Sequence, residues 1–177
     1  MSNINSAENP EFLNNYLIHI KLVQLLSERT IQEYFTDIRL FLRYIYENNH
    51  DTGKPIEEIS ISDMSETEIS KITVSDIYNF IFFTSDERHN SDKARYRKIS
   101  SLRSFFHYLE IVAHIVQKDP TKDLDVPVPK ASLPKFLSLD QSLRLLDASD
   151  KMDSRRDYCI ITLFLNCGMR LSELVGM

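Results

Sequence analysis

The chain has 177 residues, of which 42% are apolar and only 3 are glycine, with a formal net charge of −5. That length supports one large or two small domains with a real core, and the acidic total argues against a generic polyanion binder. No signal peptide opens the sequence and no apolar run is long enough to span a membrane, which points to the cytoplasm.

Pro10 starts a first helix with the stripe Phe12, Tyr16, Ile20 and Val23. Ser27 caps a second, whose buried face is Ile31, Tyr34, Phe35, Ile38, Leu42 and Ile45. Residues 49–64 contain Gly53, Pro55 and most of the acids, so they read as a solvated loop. Ser65-Glu-Thr-Glu68 is a capping box for a short helix. A third main helix over about residues 75–84 turns Ile77, Phe80 and Ile81 inward. A fourth, over about 91–116, carries Ile99, Leu102, Phe106, Leu109 and Ala113. Prolines 120, 127, 129 and 134 end that helix and mark residues 120–136 as an interdomain linker. Ser138-Leu-Asp-Gln141 is a second capping box, opening a helix with Leu139, Leu143 and Leu146 inward. The next helix runs through Tyr158, Ile161 and Leu165 to Gly168, where a C-cap favours positive φ. Cys159 and Cys167, eight apart on that helix, are too distant along its axis for a disulfide and read as buried apolar fillers. The expectation is an all-α chain: a domain at 1–119, a linker at 120–136 and a second domain beginning at 137–177.

The charges are segregated. Residues 47–69 carry a net −6 and residues 88–103 a net +5, and a local basic patch can bind phosphates on an acidic protein. At 100° per residue, Arg97, Ser100, Arg103, Ser104 and His107 share the face opposite Ile99, Leu102 and Phe106. Arg95 and Lys98 belong to the same basic run. Serines between arginines let a helix come close to a duplex while the arginines reach phosphates or guanine edges. A solvated polar helix face is the competing reading. Ser27, Arg29 and Thr30 lie at a helix N-terminus, whose free N–H groups favour phosphate, although Ser27 is also explained as a cap. Tyr34 reads as core. Lys135, in the linker, is a further candidate for contact with a DNA backbone.

At the end of the chain, an apolar helix runs into Gly168 and a lone arginine opens a second amphipathic helix, Arg170-Leu-Ser-Glu173. Arg170 falls in that helix's first turn, Leu171, Leu174 and Val175 pack inward, and Glu173 can reach the guanidinium and hold it. A planar, always-charged fork suits two phosphate oxygens and the charge that grows on them during displacement. Spacing alone also allows an ordinary exposed ion pair.

This stretch resembles the motif of tyrosine recombinases, the phage-integrase and Xer-like family, that carries the first of their two active-site arginines. The order of motifs upstream resembles the same family. Ser27-Glu-Arg-Thr30 followed by Tyr34, Asp37, Leu40 and Phe41 is similar to the second helix of its core-binding domain, and residues 97–109 to the fourth. Asp119-Pro120, Pro129-Lys130 and Leu133-Pro134 resemble its linker, and Arg156-Asp-Tyr158 its approach to the catalytic arginine. The family commonly has Thr-Gly where this chain has Cys167-Gly168, and the acidic loop is longer than the usual connection.

The resemblance implies a four-helix, SAM-like core-binding bundle followed by the first helices of a mixed α/β catalytic domain. It implies site-specific recombination or integration through a 3′-phosphotyrosine intermediate, with no metal or nucleotide cofactor. The implied partners are double-stranded DNA with an inverted-repeat core site and further protomers, as dimers and then a tetramer on DNA. Arg170 would be catalytic, with Glu173 orienting it. None of the five histidines has an arginine three residues on, and no tyrosine matches the nucleophile's place. The 177-residue chain is therefore expected to be the inactive front part of such an enzyme. Two alternatives stay open: a non-catalytic helical DNA-binding protein derived from a recombinase, and a protein-interaction module whose basic stripe only aids solubility.

Overall fold

The computed structural model describes residues 7–86, 91–126, 135–152 and 154–177, and every regular element among them is helical. The chain divides into two compact units, Met1–Pro129 and Lys130–Met177.

The first unit is a bundle of α1 (Glu11–Leu22), α2 (Glu28–His50), α3 (Glu66–Ser70), α4 (Val74–Asp86) and α5 (Asp92–Ile111), with 3-10 turns at Ile56–Glu58 and Pro120–Asp123. The caps follow the sequence. Ser27 Oγ accepts from the Thr30 N–H at 3.2 Å. Ser65 and Glu68 close the first capping box, at 3.3 Å to the Ser65 hydroxyl and 2.8 Å to the Glu68 carboxylate. Helix α2 packs against α1, α4 and α5. Its Phe41 meets Phe80 of α4 edge-on at 5.1 Å and Phe106 of α5 at 6.0 Å. Tyr16 of α1 meets Phe105 of α5 at 5.2 Å. Phe105, Ser101 and Tyr108 are buried together with the predicted Ile99–Leu102–Phe106 stripe. Helix α5 therefore buries a broader arc than one stripe, because α1 and α2 both pack on it.

Three expectations change here. Residues 49–64 are not merely a solvated loop: Ile59, Ile61 and Met64 are in the core, and the turn at Ile56–Glu58 packs on α2. Glu47 organises the loop's start. It accepts from the Thr52 hydroxyl and from the N–H groups of Thr52 and Gly53 at 3.2 and 3.0 Å. The linker assigned to 120–136 is bundle structure at its start. Asp119, Thr121 and Leu124 are buried, Lys122 pairs with Glu110 at 2.6 Å, and Tyr78 accepts from the Asp125 N–H at 3.0 Å. Prolines 127, 129 and 134 lie outside the described residues. Val23, predicted inward, is exposed because α1 has ended there.

In the second unit, α6 (Leu139–Asp150) packs on α7 (Arg155–Cys167), and α8 (Leu171–Val175) follows. Ser138 and Gln141 form the predicted capping box, and Gly168 caps α7 at φ 60°. No hydrophobic side chain in this unit is buried among the described residues. Leu139, Leu143, Leu171 and Val175, predicted inward, are exposed, and so are the free Cys159 and Cys167, read as buried fillers. Three short helices do not enclose both faces of any one of them.

Candidate nucleic-acid interface

The N-terminal halves of α2 and α5 bring one line of charges together. Arg29, its side chain 90% exposed, donates from Nε to Glu33 at 3.3 Å. Glu33 lies 4.0 Å from Arg97 Nη1. The same Nη1 donates to Asp37 at 2.6 Å and to the Glu33 carbonyl oxygen at 3.4 Å. The other Asp37 oxygen accepts from Lys98 Nζ at 2.8 Å. The i, i+4 spacing of residues 29, 33 and 37 makes this possible, since it stacks them on one face of α2. Ser27 and Thr30 stand at the N-terminal end of α2, with their hydroxyls 2.9 Å apart.

The remaining candidates are partly committed to the bundle. Lys98 does not face outward: it is 7% exposed and belongs to the α2–α5 ion pair. Ser104 accepts from the buried Tyr16 hydroxyl at 2.9 Å, and burial pushes that phenol well above its ordinary pKa. Ser100 bonds back to the Tyr96 carbonyl at 3.0 Å, and Arg95 pairs with Asp92 at 3.0 Å. Arg103 is exposed, as expected, but its Nη2 donates to the Leu124 carbonyl at 3.2 Å and so holds the start of the former linker. Tyr34 is half-buried against the core, as read. Lys135 is exposed in the other unit.

Arg170 is the residue just before α8, in extended conformation, rather than in its first turn. One carboxylate holds it twice. Glu173 accepts from the Arg170 N–H at 2.8 Å and from its Nη1 at 3.0 Å. The guanidinium side chain remains 82% exposed. The expected contact between the two residues is therefore present, and the arginine is presented rather than enclosed. Among the described residues no group of three or more His, Cys, Asp or Glu could hold a metal ion, and no helix is long and apolar enough to cross a membrane.

Sequence reading singled out Arg29, Arg97 and Lys98 but gave no such role to Glu33 and Asp37, the carboxylates that hold them. The signal was present: Asp37 stands between Phe35 and Ile38 on a predicted buried face, and a carboxylate there needs a cation.

The whole chain is homologous to tyrosine recombinases. It is 37% identical over its full length to 51% of a protein named tyrosine recombinase XerC from Caldanaerobacter subterraneus subsp. tengcongensis. It is 30% identical to tyrosine recombinase XerD of Listeria monocytogenes, with 94% of this chain and 51% of that protein covered. A protein named tyrosine recombinase from Pseudothermotoga lettingae is 29% identical over 93% of the chain and 50% of its own length. The chain thus spans about half the length of the curated relatives it matches. No family model and no solved structure matches it.

Proposed function

We propose, from a kinship with tyrosine recombinases that runs the length of the chain, that this is the DNA-binding portion and the opening of the catalytic portion of such an enzyme. The observation that carries the reading is that whole-chain match. The basic edge formed by Arg29 and Arg97 and the exposed fork of Arg170 support it.

The intact enzyme would bind double-stranded DNA at an inverted-repeat core site and assemble further protomers on it as a tetramer. A tyrosine would attack the scissile phosphate and displace a 5′ hydroxyl, leaving a 3′-phosphotyrosine. The reverse attack by a 5′ hydroxyl of the partner strand would release the tyrosine. Covalent linkage conserves the phosphodiester bond energy, so no nucleotide is consumed. Arg170 would neutralise charge growing on the non-bridging oxygens, with Glu173 fixing its fork from behind. Ser27, Arg29, Thr30, Arg97 and Arg103 would contact the duplex, and Lys135 would contact its backbone. With no tyrosine in the nucleophile's place, the 177-residue chain would bind DNA but not cleave it.

The test is binding of the chain to a short labelled duplex across a salt series. Binding that weakens steeply with salt is expected, because phosphate contacts release counterions. No binding at low salt overturns the reading.

A further inference from the structure

Asp37 is the most deeply buried charged side chain among the described residues, at 1% exposure, and it meets two cations rather than one. Arg97 and Lys98 are consecutive on α5, about 100° apart around the helix, and they take its two oxygens from different sides. Lys98 is buried and by itself balances the carboxylate. Arg97, with a side chain 36% exposed, is the member that reaches the surface, and its second carboxylate neighbour there, Glu33 at 4.0 Å, is already paired with Arg29 at 3.3 Å. Both bonds of Arg97 use Nη1; among the described residues its Nη2 and Nε make none. A pair that served only to join α2 to α5 would need one cation.

We propose that Asp37 is a positioning residue for DNA binding. It grips Arg97 by one corner of the guanidinium, so that the free donors of the planar fork are held out for a phosphate. Lys98, behind it, keeps the carboxylate from neutralising that charge. A pre-ordered side chain loses less freedom when it binds, and a fork anchored at one corner retains a second edge for a bidentate contact. Asp37 and Lys98 themselves never touch the duplex. This inference rests on the DNA-binding reading above.

The test uses the 177-residue chain and a short labelled duplex of arbitrary sequence at low salt. The double variant Asp37→Leu/Lys98→Met exchanges the buried pair for apolar residues of similar size, a replacement proteins often tolerate, and it leaves the net charge unchanged. Affinity should fall about two- to tenfold, the penalty for ordering one freed long side chain. In an Arg97→Ala background the same double substitution should do nothing further. Arg97→Lys, which keeps the charge and can still pair with Asp37 but has no second edge, should bind as weakly as the double variant. Unchanged affinity in the double variant overturns the proposal, as does a full further loss in the Arg97→Ala background or parent-like binding by Arg97→Lys. Each of those outcomes leaves the DNA-binding reading standing if the parent binds and Arg97→Ala weakens it. Failure of the parent to bind overturns that reading, and this one with it.

Discussion

Arg97 and Lys98 are neighbours in sequence, and a helical projection gives each a direction but not a partner. The projection placed Arg97 on the polar face, and its side chain does reach the surface, though only in part; the basic run put Lys98 beside it, whereas Lys98 is buried. What decides between them is Asp37, sixty residues away in sequence, and no local pattern on α5 encodes that. The stability consequences of the cluster should be unequal. Asp37→Ala leaves Lys98 buried without a carboxylate, which costs about 3–5 kcal/mol. Lys98→Met leaves Asp37 bonded to Arg97 and should cost clearly less. Urea denaturation orders the two, and the reverse order would mean that Lys98, not Asp37, organises the cluster. Arg170 differs because its partner is three residues away and was legible. In a full-length recombinase carrying this segment, Arg170→Ala should slow cleavage by about a hundred- to a thousandfold, with DNA binding nearly unchanged, since its main interaction forms as charge develops. Arg170→Lys should recover little, because an ammonium cannot span two oxygens. Cleavage of a suicide substrate reads both, and a near-normal rate for Arg170→Ala would remove its catalytic role.

Between α2 and α4, the stretch counted as a solvated acidic loop is fastened by its acids. Burial raises the Glu68 carboxyl, but bonds from the Ser65 N–H, His50 and the Ser65 hydroxyl together outweigh this and leave its pKa below the ordinary value. Glu47 is likewise lowered, first by the Thr52 hydroxyl and also by the N–H groups of Gly53 and Thr52. A carboxyl with a lower pKa in the folded state takes up its proton more readily when unfolded. The stability it contributes is therefore complete above the unfolded value, about 4.3, and is lost as pH falls through the lowered folded value. Denaturation midpoints should thus drop on acidification from about pH 5 to pH 3, a window that brackets the ordinary glutamate pKa, and Glu68→Gln should flatten that drop. A pH profile identical to the parent's would mean the clasp contributes nothing. The elements themselves were well marked: Ser27, Ser65, Ser138 and Gly168 all cap where the sequence put them. The loop and the linker were misread for one reason. Acids and prolines were weighed, whereas Ile59, Ile61, Met64 and Leu124 bury singly, without the periodicity that reveals a helix.

The two units differ in kind, and that difference yields the last prediction. In Met1–Pro129 every main helix contributes fully buried side chains, from Leu13 and Ile20 through Phe41 and Phe80 to Phe106 and Leu109. In Lys130–Met177 none of the described hydrophobics is buried, and Leu139 and Val175 are each 78% exposed. Burial of apolar area is the main favourable term in folding, so the second unit has little to set against the entropy of ordering its three helices. Amides of α6 and α7 should exchange with solvent near the rates of local fraying, whereas those of α2 and α5 should exchange only through global opening. Residues 120–126 should exchange with the bundle, because Leu124, the Lys122–Glu110 pair and the Arg103–Leu124 bond tie them to it. Early proteolytic cuts should accordingly spare that stretch, and a chain ending at Pro129 should melt at the temperature of the longer one. Protection of α6 and α7 equal to that of α2 and α5 would mean that Leu139, Leu143 and Val175 are covered in solution. Repeating the exchange at lower protein concentration would then tell a second copy of the chain from an intramolecular cover, because only the former dissociates on dilution.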